Sequence, residues 1–508
     1  MSPACATLPG VTPVPAARDD VEPSPAAPLT AAELVAVTGG SLLRRSDRPV
    51  RGGAVDSRLV TPGCLFAALP GERTDGHRFV GEAAARGAAA LLVARPFAEA
   101  ELAALGDVTV VRVPDTLAAL QAVAAAWRGR FDPLVVGITG SVAKTSTKDA
   151  TAAVLGAAMP TLASEGNQNN EIGLPLTLLR LAPGHRAAVL EMGMYVGGEI
   201  ATLAALGRPR VGIVTAVAPV HLERAGSLEA IEDAKAELVE ALPADGIAIL
   251  NGDDPRVRRF ASRTRARSLT YGLGAAADVT AEAIEARGAG GMTFEVVARA
   301  PRRTRVAVTI AALGRHSVQN ALAAVAAGLV AGVTDEQLAA GLAAPWGRAS
   351  AHRGALVAAP GLTILDDTYN ASPTSTIAAL EVLASLPGRP VAVLGEMREL
   401  GALHDAGHRE VGAAAARVAA ELVVVGAGAV GIAAGAIEAG LRPSRVHGAA
   451  DRDDALRILR GILRPGDAIL VKASRGAALE SLVDALRDGI AGAREGRGDT
   501  REGAGDAR

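Results

Sequence analysis

Aromatic side chains are nearly absent: Phe, Trp and Tyr make up 2% of the 508 residues. Stacking platforms for single-stranded nucleic acid need such rings, and a formal net charge of −2 also disfavours a polyanionic partner. No nucleic-acid partner is expected. Cysteine is scarcer still. Cys5 and Cys64 are the only two, too few for a disulfide framework or a zinc site and in keeping with a reducing compartment. Cys64, inside Pro62-Gly63-Cys64-Leu65-Phe66, reads as a packing residue. Long hydrophobic runs are missing too: the uncharged stretch Leu422 to Ile437, mostly Gly and Ala, is short of a membrane span. The N-terminus lacks a basic start followed by an apolar core, so no secretory signal is read. A soluble, cytoplasmic monomer without membrane insertion is expected.

What the chain does contain is an alternation of short Val/Ile/Leu runs with longer Ala/Leu-rich helical stretches, which implies parallel sheets covered by helices, an α/β class. Strands are expected at Leu134 to Ile138, Ala187 to Leu190, Val211 to Thr215, Ile247 to Leu250, Leu362 to Leu365, Val391 to Leu394, Leu422 to Val425 and Ala468 to Val471. The Pro/Ala-rich segment 1–29 and the polar, glycine-rich segment 491–508 read as a disordered leader and tail. In open α/β sheets ligands bind beyond the carboxyl ends of strands. Here those ends carry Thr139-Gly140, Glu191, His221 a few residues on, Asn251, Asp366-Asp367 and Glu396.

The first of these ends is the most informative. After Leu134-Val135-Val136 the chain continues Gly137-Ile-Thr-Gly-Ser-Val-Ala-Lys-Thr-Ser-Thr-Lys148. A strand, a turn of small residues and a Lys-Thr pair opening a helix form a phosphate-loop arrangement. Backbone N–H groups face the anion, Lys144 pairs with phosphate oxygens and Thr145 ligates magnesium. Gly140, Ser141, Val142, Ala143, Lys144, Thr145 and Ser146 are therefore the expected ATP-binding stretch. Ala143 stands where such loops usually carry glycine. If that position is left-handed, alanine costs about 1 kcal/mol, enough to weaken ATP binding several-fold without abolishing it.

Further blocks share an order with one family. They are Ser164-Glu-Gly-Asn-Gln-Asn-Asn-Glu-Ile-Gly173, Leu190-Glu-Met-Gly193, Pro219-Val-His-Leu-Glu223, Asn251-Gly-Asp-Asp254, Leu313-Gly-Arg-His316 with Asn320, Asp366-Asp-Thr-Tyr-Asn-Ala-Ser-Pro373 and Leu394-Gly-Glu-Met-Arg-Glu-Leu-Gly401. Upstream stand Asp56-Ser-Arg58 and Gly71 to His77. Together with the TGxxGKT-like loop, these blocks resemble the Mur ligase superfamily, and within it the UDP-N-acetylmuramoyl-tripeptide–D-alanyl-D-alanine ligases, over roughly residues 30 to 490.

That resemblance implies an ATP- and magnesium-dependent ligase with UDP-N-acetylmuramoyl-tripeptide and D-alanyl-D-alanine as substrates. It implies three domains: a uridine-binding α/β domain over 30–130, a P-loop-type ATPase domain over 131–345 and a Rossmann-like domain over 346–490, with a hinge near 343–348. Lys144, Glu191, His221 and Lys235 would be catalytic. Thr145, Glu191, His221 and Lys235 as a carbamate would hold magnesium. Asn320, Arg348, Asp367, Tyr369 and Asn370 would contact the nucleotide, and Ser57, Arg58, Asn169, Asn170, Lys472 and Arg475 the substrates. Lys235 has support of its own, because Ile231, Leu238 and Leu242 share its face of an expected helix from Ser227 to Leu242, and a desolvated lysine has a lowered pKa. Ser317 stands where the family has Asn, which leaves the adenine contact of that block unassigned. Ser372 likewise replaces Asn before Pro373.

Two alternatives share these residues: a sister ligase adding another amino acid, and a relative impaired by Ala143 that retains UDP-precursor binding. Gly426-Ala-Gly428-Ala-Val-Gly431 satisfies a dinucleotide-binding pattern literally. It is read instead as glycines for tight helix–strand packing.

Overall fold

A computed structural model describes residues 27–71, 74–220, 222–346 and 352–488. Cys5, His221, Arg348, most of the expected leader, the tail and part of the expected hinge lie outside the described residues. Leu29, assigned to the leader from sequence, is 2% exposed and donates its N–H to Val50 O. Ordered chain therefore begins earlier than composition suggested, because one leucine among prolines and alanines finds a core. The described residues form two compact units, one within Met1–Arg287 and Gly291–Ser350, the other within Gly288–Gly290 and Ala351–Arg508.

The first unit holds two sheets. Strands β1 (Ser41–Arg44), β2 (Gly53–Ala54), β3 (Leu65–Ala67), β4 (Ala90–Val93) and β5 (Thr109–Arg112) lie in the order β1-β5-β4-β3-β2, parallel except for β1. Cys64 is buried in the core beside this sheet. The second sheet contains β6 (Leu134–Thr139), β7 (Thr161–Ala163), β8 (Ala187–Glu191), β9 (Val211–Val214), β10 (Ile247–Asn251), β11 (Arg267–Tyr271), β12 (Val279–Ala286), β13 (Met292–Ala298) and β14 (Thr304–Ile310). Its order is β14-β13-β12-β11-β10-β9-β6-β8-β7, parallel from β7 to β12 and antiparallel from β12 to β14.

One apolar cluster spans both sheets. It joins Leu65, Leu92, Leu120, Val123 and Trp127 to Val135, Leu174, Leu178 and Leu190. Trp127 Nε1 donates to Leu181 O at 3.1 Å, so the helix Thr116–Arg128 is tied by a hydrogen bond, as well as by burial, to the connection that follows the helix Gly173–Leu178.

The second unit contains β15 (Ala355–Ala359), β16 (Leu362–Asp367), β17 (Pro390–Gly395), β18 (Glu421–Val425), β19 (Val446–Ala449) and β20 (Asp467–Lys472). The order is β15-β16-β20-β17-β18-β19, with only β15 antiparallel. In the glycine pattern after β18, a Cβ on Gly428 would lie 2.5 Å from the Glu396 side chain and one on Gly431 2.9 Å from His408 Cβ, while Gly426, at φ +88°, has open space around it. The closest helix–helix approach falls on other glycines: a Cβ on Gly412 would lie 2.1 Å from Ile432 O, and one on Gly435 would lie 2.2 Å from Arg409 O. The helices His404–Ala416 and Val430–Glu438 thus approach closely enough for backbones to touch.

Gly435→Ala is accordingly expected to destabilise the protein by about 1–3 kcal/mol, the usual cost of overpacking. Gly461→Ala, where an added Cβ meets nothing within 4 Å in the helix Arg452–Ile462, should be neutral or slightly stabilising. Urea unfolding of both variants checks the contrast.

Candidate active site

The turn after β6 is shaped by an approach too close for any side chain. Gly140 has φ +148°, and a Cβ there would sit 1.9 Å from Thr215 Oγ1 and 3.0 Å from Ala216 N. Ser141 N donates to Ala216 O at 2.8 Å, and Ser141 Oγ lies 2.9 Å from both the carbonyl and the amide of Ala218. Thr215 Oγ1 donates to Val142 O at 2.6 Å. The segment after β9 therefore clamps the turn residue by residue. Thr215 was read from sequence only as a strand end, and nothing in its local pattern signals this clamp.

Ala143 adopts φ 66° and ψ 0° and is the N-cap of the helix Lys144–Gly156, with no side-chain cap. The position does require a left-handed residue, so alanine carries the strain anticipated from sequence. An uncapped helix start behind a glycine turn is the arrangement in which an anion takes the place of a capping side chain. Lys144 Nζ donates to Gly140 O at 2.8 Å, holding its charge over the turn. Thr145 is 3% exposed. Thr147 Oγ1 donates to Asn320 Oδ1 at 3.3 Å, which brings the helix Arg315–Val330 to the same place. Ser317 gives its hydroxyl proton back to Leu313 O at 2.7 Å.

Glu191 ends β8 two strand positions from the turn. It is 2% exposed. Its Oε1 accepts from Asn169 Nδ2 at 2.8 Å, while Oε2 is buried with no hydrogen-bond partner among the described residues. A buried carboxylate oxygen left open beside a phosphate-type turn fits a hard divalent cation. Among the described residues no group of three or more His, Cys, Asp or Glu side chains comes together, so phosphate and hydroxyl oxygens would have to complete such a site.

Lys235 lies in the helix Leu228–Glu240, capped by Ser227, and is 3% exposed. Burial, reinforced by the positive charge of Lys144, holds its pKa well below the usual 10.5. Ile231, Leu238 and Leu242 are fully buried around it in the expected register.

Other expected residues fall in separate places. Ser57 Oγ donates to Glu82 Oε2 at 2.9 Å, and Arg58 pairs with Asp56 while its side chain stays 79% exposed, so Arg58 is available to a ligand. Asn170 instead caps a turn, with Oδ1 accepting from Ile172 N and Gly173 N. In the second unit Lys472 Nζ pairs with Asp367 Oδ2 at 2.5 Å and donates to Asn370 O at 2.8 Å. The Tyr369 ring lies under Arg353 at 3.7 Å, with Arg475 at 5.6 Å. The adjacent Asp366 is occupied by His352 and Thr368, which leaves Asp367 as the acid at this strand end.

A strand-end phosphate turn and an open buried carboxylate on an α/β scaffold are the features of a nucleotide-binding class of protein. Models of the Mur ligase family match three stretches: its catalytic domain over residues 50–128, its middle domain over 138–328 and its glutamate ligase domain over 352–475. The chain belongs to the Mur ligase family.

Among particular relatives, it is 39% identical to the UDP-N-acetylmuramoyl-tripeptide–D-alanyl-D-alanine ligase of Mycobacterium bovis, across 90% of this chain and 97% of that protein. Its fold is similar to MurF from Acinetobacter baumannii, with TM-score 0.80 and 29% identity over 92% of this chain and 100% of that one. It is also similar to MurF ligase from Thermotoga maritima in complex with ADP, with TM-score 0.74 and 27% identity over 87% of this chain and 98% of that one.

Two stability outcomes follow from the site. Ala143→Gly should relieve about 1 kcal/mol of left-handed strain, partly offset by the freer unfolded chain. For Lys235, a depressed folded pKa means that the unfolded chain binds more protons below 10.5, so stability rises with pH through that window. In carbon dioxide-free buffer Lys235→Met should be more resistant to urea near neutral pH, with the gap narrowing as pH rises. A gap that widens would contradict the burial argument.

Proposed function

We propose that this chain is the ATP-dependent ligase that joins D-alanyl-D-alanine to UDP-N-acetylmuramoyl-tripeptide in peptidoglycan precursor synthesis. The observation that carries the reading is its 39% identity over 97% of a relative with that activity in its name. The clamped phosphate turn supports it. In the reaction, a terminal carboxylate oxygen of the tripeptide attacks the γ-phosphorus of ATP, the bond to ADP breaks, and an acyl phosphate forms. The amine of D-alanyl-D-alanine then attacks the acyl carbon, the new C–N bond forms, phosphate leaves and the amine loses a proton.

Both steps gather negative charge, and preorganised positive groups stabilise it. Gly140 to Ser146 would cradle the phosphates with backbone N–H groups and the helix start. Lys144 would leave the Gly140 carbonyl to pair with phosphate oxygen. Magnesium held by Thr145 and Glu191 would supply Lewis-acid stabilisation of the phosphate oxygens. Burial lowers the pKa of Lys235, which makes its free amine more accessible for capture of carbon dioxide as a carbamate; that carbamate together with His221 would hold a second ion. Asp367, Tyr369, Asn370 and Arg348 would serve the nucleotide, Lys472 and Arg475 the incoming substrates, and Ser57 and Arg58 the uridine end. Segments 30–130, 131–345 and 346–490 would be the corresponding modules of a cytoplasmic monomer.

Phosphate release from ATP tests the reading. It should require both the UDP-linked tripeptide and D-alanyl-D-alanine, and Ala143→Gly should lower the apparent KM for ATP several-fold with little change in kcat. No release from the natural protein, with activity restored by glycine, would instead make Ala143 an inactivating residue. Release with a free amino acid in place of the dipeptide would assign a sister ligase.

A further inference from the structure

One turn beyond Lys144 on the same helix face stands a second lysine that the reading above leaves without a role. Lys148 is 2% exposed. Its ammonium donates to Ser164 O at 2.8 Å and pairs with Asp149 Oδ1 at 2.5 Å. A buried ion pair is weak evidence for stability, since well-packed apolar residues often do as well or better in its place. The position of the pair is more telling than its strength.

Ser164 follows β7 and joins Lys148 to Glu191. The Glu191 N–H donates to Ser164 Oγ at 3.2 Å, and Ser164 N donates to Val189 O at 3.0 Å. Five residues on, Asn169 Nδ2 donates to Glu191 Oε1 at 2.8 Å, and Asn169 O accepts from Gly193 N at 2.7 Å. Segment 164–169 is therefore fastened at both ends to the strand that presents Glu191. Asn169 orients one carboxylate oxygen, and Lys148 anchors the end of the segment that holds the Glu191 backbone. What remains is Oε2, buried and without a hydrogen-bond partner among the described residues.

We infer that Lys148 is a positioning residue: its ammonium, acting through Ser164, fixes the place of the Glu191 carboxylate so that Oε2 is kept for the divalent cation that accompanies the nucleotide. The inference rests on the assignment of Glu191 as a cation ligand. A methionine at 148 would fill the same space without holding the Ser164 carbonyl, and the segment would be free to shift against β8.

The test is calorimetric titration of Mn2+ together with a non-hydrolysable ATP analogue, alongside the magnesium dependence of phosphate release. The proteins compared are the full-length natural chain, Lys148→Met, Ser164→Ala and the double variant. Each single change should weaken cation affinity roughly 10-fold or more, the usual effect of losing a partner that orients a metal ligand. Affinity for the UDP-linked tripeptide should not change. Because both residues act along one route, the double variant should be no worse than the weaker single variant. Natural-like cation affinity in both single variants, or losses that multiply in the double, would overturn the inference. If Lys148→Met does not fold, Lys148→Gln takes its place in the same titration, with the same loss of cation affinity expected and natural-like affinity overturning the inference. A natural protein that binds the analogue without any need for a cation would overturn the Glu191 assignment itself, and this inference with it.

Discussion

The approach of the turn after β6 to the segment after β9 is the constraint on which the candidate site depends. There is no room for a Cβ between Gly140 and Thr215, and hydrogen bonds from Ser141 and Thr215 lock the two segments together. Given that contact, the helix Lys144–Gly156 must start where it does, Lys144 must lie over the turn, and Thr145 must be buried at its root. Brought to the same edge by parallel pairing of β8 with β6, Glu191 then faces the same region. The parallel sheet supplies the placement, while the glycine supplies the closeness that backbone recognition of a phosphate demands.

Around this contact the chain accepts local costs that a purely structural element would avoid. Ala143 is held left-handed, Lys235 is buried with its pKa held well below the usual value, Glu191 keeps an oxygen with no partner among the described residues, and Lys148 is buried as an ion pair. Strain and unmet polar groups of this kind gather where structure serves chemistry. Their concentration around one turn, rather than any one of them, separates this edge of the sheet from an ordinary strand-to-helix connection.

Four strands of the central sheet (β6, β8, β9 and β10) and four of the last (β16, β17, β18 and β20) were legible because they are short apolar runs bounded by turn residues, whereas β7, β11, β15 and β19 were not read. Leu134, Ala187, Ile247 and Leu362 each begin the strand expected of them, and the Lys235 helix was legible from its 3.6-residue period. The antiparallel extension β12 to β14 was not read, although Met292–Ala298 alternates buried and half-buried positions, a period-2 signal interrupted by arginines and glutamates nearby. The Thr215 clamp, the Lys148–Ser164 link and the cluster joining the first two sheets were not legible at all. Each joins residues far apart in sequence, and no local pattern encodes such a contact. The glycines after β18 show the converse: the motif names them, yet the surfaces that Gly428 and Gly431 face, Glu396 and His408, are known only from the fold.

The central claim is that this scaffold activates a carboxylate by phosphoryl transfer before forming an amide. The most direct measurement supplies the UDP-linked tripeptide with oxygen-18 in its terminal carboxylate, together with ATP and D-alanyl-D-alanine, and follows the label by mass spectrometry. The account requires one oxygen-18 to appear in the inorganic phosphate released and the remaining one in the new amide. Unlabelled phosphate released alongside amide product would contradict it, because the carboxylate would then never have been joined to phosphorus.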